Sequence, residues 1–157
     1  MRHVLLVLVL GMVVVLTVWP VNNPDAWTHL ALGEHLARER RIPHTDVLSF
    51  TVPADRPYVD HEWLYQLVLL GAFRLGGTAG ITVTTAWVLV LTFGVIAAVT
   101  WRKGTGWLET AVLTVGVLTA YQRFHVRPEA FSFLMTCLLY TSPSPRDLST
   151  SRMPSSA

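Results

Sequence analysis

The sequence predicts an all-α, polytopic transmembrane protein whose long first extracytoplasmic loop carries juxtamembrane helices. Three observations lead there. Hydrophobic residues make up 52% of the 157 and charged residues only 14%, against about 25% charged in an average soluble domain. The apolar residues come in long uncharged blocks, as in membrane-spanning helices. The titratable residues are gathered instead in one stretch, 20–62, which holds seven of the ten acids and four of the six histidines. The same composition excludes a disordered chain, which needs low hydrophobicity and high charge. A formal net charge of +2 is too small to imply a nucleic-acid partner. The single cysteine, Cys137, allows no internal disulfide and fits no metal-ligand cluster.

Residues 4–19 are uncharged and follow Arg2. A signal peptide would look similar, but Trp19-Pro20-Val21 offers no small-x-small cleavage site. The segment therefore reads as an uncleaved first span with its N-terminus in the cytoplasm. The extracytoplasmic loop 20–62 follows. Asn23 is a good N-cap, Pro24 suits the first helical position, and Asp25 complements the positive end of the helix dipole. That helix should end near Arg40 and Arg41, before Ile42-Pro43. The rest of the loop, with prolines at 43, 53 and 57, reads as a turn, a short extended piece and a second turn.

Residues 63–75 would cover only about 20 Å as a helix, short for a span, and they include Gln66 and Arg74. They are expected to lie in the outer interface, anchored by Trp63 and Tyr65. If they span instead, every later segment flips. The interfacial reading puts Arg2, Arg102 and Lys103 inside; the spanning one puts Arg2, Arg74, Arg123 and Arg127 there. Charge counting slightly favours the second, while length and the aromatic pair favour the first. Spans are predicted at 80–100 and 107–120, with another opening at 130–140. That last one is cut off by an abrupt change to Ser- and Pro-rich composition. Residues 137–157 accordingly read as a disordered, non-native read-through tail. Residues 1–136 read as the N-terminal part of a larger protein, a fragment not expected to catalyse alone.

Asp25 and His29 are four residues apart on the loop's first helix and share a face. Their ordinary roles would be a dipole residue and its hydrogen-bonding neighbour; their position at the membrane surface favours a functional one. Asp46, His61 and Glu62 are further polar candidates in the loop. His61-Glu62 is not the start of HExxH, because the second histidine position is Tyr65. Asp25, His29, His61 and Glu62 are candidate ligands for a divalent metal ion, although no ligand spacing here is diagnostic. Arg123 and Arg127, on one helical turn, would face the same way and clamp an anion such as a phosphate. Their ordinary role would be to flank a span among lipid headgroups.

With these residues in place, the chain resembles the multi-spanning C-type glycosyltransferases, and more narrowly bacterial membrane proteins related to the protein O-mannosyltransferases. The matching stretches are PDAWTHLALG from Pro24 to Gly33, IPHTD from Ile42 to Asp46 with Ser49-Phe50-Thr51, HEWL from His61 to Leu64, and Arg127-Pro128-Glu129 with Phe131-Ser132. The resemblance covers about residues 5–135, and its specificity lies in their order and spacing.

It implies a cytoplasmic-membrane enzyme of bacteria that transfers a sugar from a polyprenyl-phosphate carrier to a hydroxyl of a glycan, lipid or protein acceptor outside the membrane. It implies Asp25 as catalytic general base and Arg123 and Arg127 as the groups that neutralise the departing phosphate. His29, His61 and Glu62 would position the acceptor or hold an ion. Many relatives carry a second acid directly after the first, where this chain has Ala26; that carboxylate would then come from Asp46, Asp60 or Glu62, or be absent. The rival readings are a transporter and a non-catalytic envelope-assembly protein. Ion-coupled transport usually places ionisable residues within spans, and 4–19 and 80–100 contain none.

Overall fold

The computed structural model describes residues 2–18, 20–21, 23–49, 51, 53, 56–100 and 107–142. Trp19, Phe50, Asp55, the orientation markers Arg102 and Lys103, and the tail from 143 lie outside the described residues. Among those described, every regular element is helical, and the β-type pairing consists of an isolated antiparallel bridge from Thr45 to Pro57.

Helix α1 (Arg2–Thr17) is apolar on every side. It buries Val9 and Val13 against α3 and α4, and the Thr17 hydroxyl donates back to the Val13 carbonyl at 2.7 Å. Helix α2 (Pro24–Glu39) starts as its sequence requires. The Asn23 side-chain oxygen accepts from the Asp25 N–H at 3.1 Å, which satisfies one of the orphan donors of the first turn. It stops at Arg40, whose left-handed φ of 54° lets its N–H return to the Leu36 carbonyl.

Helix α3 (Trp63–Thr100) is broken in two by Gly76 and Gly77. Gly77 has φ 58° and ψ −142°, a region essentially closed to residues with a Cβ. Beyond the break the chain turns back so sharply that a Cβ on Gly80 would overlap the Ala72 carbonyl oxygen. In a straight helix those residues would stand about 12 Å apart along the axis. Residues 63–75 and 78–100 are therefore separate rods.

Helix α4 (Trp107–Ala120) runs into a single 3-10 turn, Tyr121–Arg123, and α5 (Pro128–Thr141) completes the described chain. Among the described residues, one helix is long and apolar enough to cross a membrane, α3. Helix α1 has 16 residues and α4 and α5 have 14 each; at about 1.5 Å per residue they fall short of a hydrocarbon core of about 30 Å.

Two apolar clusters hold these elements together. One joins Val9 and Val13 of α1, Leu89, Phe93 and Ala97 of α3, and Leu113 and Val117 of α4. The other joins Ala26 and Leu30 of α2 to Leu69, Leu70 and Ile81 of α3. The connection between α4 and α5 stitches them together. Phe124 enters the first cluster, edge-on to Phe93 at 5.7 Å, and Val126 enters the second. Alternation along 124–127 then leaves His125 and Arg127 on the other side of this connection, at the junction of the two cores.

Candidate functional site

Two of the candidate residues, Asp25 and Arg127, meet at this junction. Arg127 precedes Pro128 and is extended, with φ −143° and ψ 149°, because the proline ring disfavours helix for the residue before it. Val126 is tied from the other side, where the Asn23 side-chain amide donates to its carbonyl at 3.2 Å. The cap of α2 thus fixes the strand-like stretch carrying Arg127. The result is an ion pair across a hundred residues of sequence: Arg127 Nη2 stands 3.9 Å from Asp25 Oδ2. Both side chains are substantially solvated, Asp25 at 60% and Arg127 at 39% exposure. In such a setting a pair at this distance is worth at most about 1 kcal/mol, so incoming polar groups readily displace it.

The expected helical turn bearing both Arg123 and Arg127 is not formed. Arg123 ends the 3-10 turn, Arg127 is extended, and the guanidiniums approach opposite oxygens of Glu129. Arg123 Nη1 lies 3.5 Å from Oε2 and Arg127 Nη1 lies 4.0 Å from Oε1. Glu129 therefore engages Arg123, and Arg127 alone of the two lines the adjoining cleft.

That cleft has a volume of about 500 Å³. Its apolar wall comes from Leu16, Val21, Phe124 and Val126, and its polar groups from Thr17, Asn23, Thr82, Thr85, Gln122, His125 and Arg127. It lies between the end of α1, the entry to α2, the start of the 78–100 rod and the turn before α5. Asn23, Gln122 and His125 went unnoticed as site residues. Only their place beside spans marked them, and the bond from Asn23 to the Val126 carbonyl spans 103 residues.

One turn beyond Asp25, the His29 Nδ1 faces Glu62 Oε2 at 3.5 Å. This is ion-pair range, but the geometry makes no hydrogen bond, and Nδ1 is buried without another partner among the described residues. The His29 ring is held edge-on to Tyr65, with centroids 5.3 Å apart. The crossing that brings Glu62 and Tyr65 to His29 depends on Gly33, where a Cβ would sit 2.6 Å from the Gln66 carbonyl oxygen.

Of the possible second carboxylates, the structure brings Glu62 toward the Asp25 face. Asp60 is buried at 6% exposure and turned into the fold. Its Oδ1 accepts from Gln66 Nε2 at 2.7 Å and from the Glu62 N–H at 3.2 Å. Gln66, the polar residue inside 63–75, is fully buried for this purpose. Asp46 serves its own turn. Hydrogen bonds from the Ser49 hydroxyl and amide and the Leu48 amide, with Arg56 nearby, hold its carboxyl below the usual range. His61 is exposed.

Tyr65 departs from its expected role as a membrane anchor. It packs on His29 with its hydroxyl buried, and burial, with Glu62 nearby, pushes that hydroxyl above the usual phenol range. Trp63 is exposed, and Trp27 of α2, edge-on to Phe73 at 6.3 Å, takes the outward place. Among the described residues no group of three or more His, Cys, Asp or Glu side chains stands together to hold a metal ion. Of the four candidate ligands, His29 and Glu62 stand together as a pair. The chain matches no family model, no curated protein and no solved structure.

Proposed function

We propose that the chain contributes the extracytoplasmic face of a multi-pass glycosyltransferase of the bacterial cytoplasmic membrane. The enzyme transfers a sugar from a polyprenyl-phosphate carrier to a hydroxyl of a glycan, lipid or protein acceptor. The observation that carries this reading is the Asp25–Arg127 pair, 3.9 Å apart, with Arg127 lining a cleft of about 500 Å³. A solvated carboxylate beside a cation is what a displacement at an anomeric carbon requires. Asp25 accepts the proton of the acceptor hydroxyl as its oxygen bonds to the sugar's anomeric carbon. The bond from that carbon to the phosphate oxygen breaks, and Arg127 meets the charge left on the polyprenyl phosphate. His29, oriented by Glu62 and Tyr65, offers Nε2 to orient the acceptor.

A membrane setting is supported by surface chemistry. Only 33% of the most apolar window of α3 is buried within the protein, and Val83, Trp87, Leu91, Val112, Val115 and Leu118 are exposed. This surface suits lipid. The break at Gly76 and Gly77 favours 78–100 as the span and 63–75 as the interfacial helix.

The test is sugar transfer by the full-length protein in proteoliposomes supplied with polyprenyl-phosphate-linked sugars and a hydroxyl acceptor. Asp25→Asn should lower transfer about a hundredfold or more without changing expression or thermal stability. Undiminished transfer would remove Asp25 as the base.

A further inference from the structure

We propose that one water molecule sits in the small void behind Arg127 and that Tyr65, through this water, is a positioning residue for the guanidinium. The void has a volume of about 20 Å³, and its lining includes Tyr65, Thr84, Thr85 and Arg127 among apolar neighbours such as Leu69 and Val88. That is room for one water, which needs at least about 10–15 Å³ and two to four polar partners. The partners are at hand. The Tyr65 hydroxyl and Arg127 Nε are both buried without a hydrogen bond within the protein, a condition native folds seldom leave uncompensated. The two groups make no hydrogen bond with each other, and their residues line the same void.

The donor and acceptor inventory closes around a single water. It accepts from Arg127 Nε–H, exchanges a hydrogen bond with the Tyr65 hydroxyl, and can donate to a threonine oxygen. Thr85 already gives its own proton to the Ile81 carbonyl at 2.9 Å and so keeps lone pairs free to accept. Arg127 lines both the void and the large cleft. Fixing Nε on the inner side fixes the plane of the fork and directs Nη1 and Nη2 outward, where Asp25 and Glu129 already meet them. The consequence for phosphate binding rests on the carrier reading above; the water itself does not.

The experiment uses Tyr65→Phe, which keeps the ring against His29 and removes only the hydroxyl, in the full-length protein in nanodiscs. The first readout is the melting temperature without ligand. In a dry void the substitution deletes an unsatisfied buried hydroxyl and Tm rises or holds. With the water present it strips a partner from a satisfied network and Tm falls. The second readout is affinity for undecaprenyl phosphate. We expect it to weaken about three- to tenfold, the equivalent of one hydrogen bond, and to show no further loss when Tyr65→Phe is added to Arg127→Ala. A higher or unchanged Tm overturns the water. A lower Tm with unchanged affinity, while Arg127→Ala does weaken binding, overturns the positioning role. If Arg127→Ala itself leaves affinity unchanged, the carrier reading fails, and the Tm readout still decides the water.

Discussion

Replacing Gly33 with alanine tests the helix crossing on which the site geometry depends. A Cβ there would stand 2.6 Å from the Gln66 carbonyl oxygen and 3.3 Å from Leu70 Cβ, about 0.8 Å inside ordinary contact with the oxygen. The oxygen belongs to helix backbone and cannot swing away, so α2 must lift from the 63–75 rod. A gap of 0.5–1 Å forfeits about a quarter to a half of each contact it opens, and overpacking of this kind costs about 1–3 kcal/mol. Alanine regains about 1 kcal/mol in helix propensity, which leaves a net destabilisation of about 0–2 kcal/mol. Gly71 is the matched control, since nothing lies within 4 Å of a Cβ placed on it. Gly71→Ala should therefore stabilise by up to about 1 kcal/mol; the propensity gain is common to both, so the two variants should differ by the overpacking cost, about 1–3 kcal/mol. Denaturant unfolding of the purified protein in micelles measures the difference. Equal stabilisation by both alanines would refute the close approach of α2 to α3, and with it the placement of Glu62 and Tyr65 against His29.

The arginines should behave differently. Arg127→Ala should weaken polyprenyl-phosphate binding about ten- to a hundredfold and Arg123→Ala far less, because Glu129 engages Arg123 outside the cleft; equal losses would restore the two-arginine clamp. The depressed Asp46 carboxyl sets a pH dependence. Its ionised form is favoured by folding, so the contribution is present above the ordinary carboxylate range and is lost as pH falls through the lower folded value. Amide exchange at Leu48 and Ser49 should accelerate in that acid window, and exchange indifferent to it would contradict the turn.

How much of this was legible in the sequence varies with contact range. The start of α2 was, since Asn23 and Pro24 act on the backbone next to them, and so was its end before Ile42-Pro43. The distinct character of 63–75 was legible in its short length and in Gln66 and Arg74, against the uncharged run 80–100, while the break itself lies at Gly76 and Gly77. Arg127 was misplaced on a helical turn although Pro128, the next residue, forbids that conformation locally; the signal was present and outweighed by the appeal of i, i+4 spacing. The inward turn of Tyr65, the burial of Asp60 by Gln66 and the choice of Glu62 to face His29 depend on how α2 crosses α3. No local pattern specifies that crossing. Gly33 could have hinted at it, but a glycine in a helix does not say which backbone comes close.

On the proposed function, the cleft lined by Arg127, next to Asp25, receives the carrier's phosphate end. Photo-crosslinking with a polyprenyl phosphate bearing a diazirine near its phosphate measures this most directly, using the full-length protein in native-like membranes. The account predicts label on residues 16–23 and 121–127, competed by unlabelled polyprenyl phosphate and lost in Arg127→Ala. Label confined to the exposed faces of α3 and α4, indifferent to competitor and to Arg127, would contradict it.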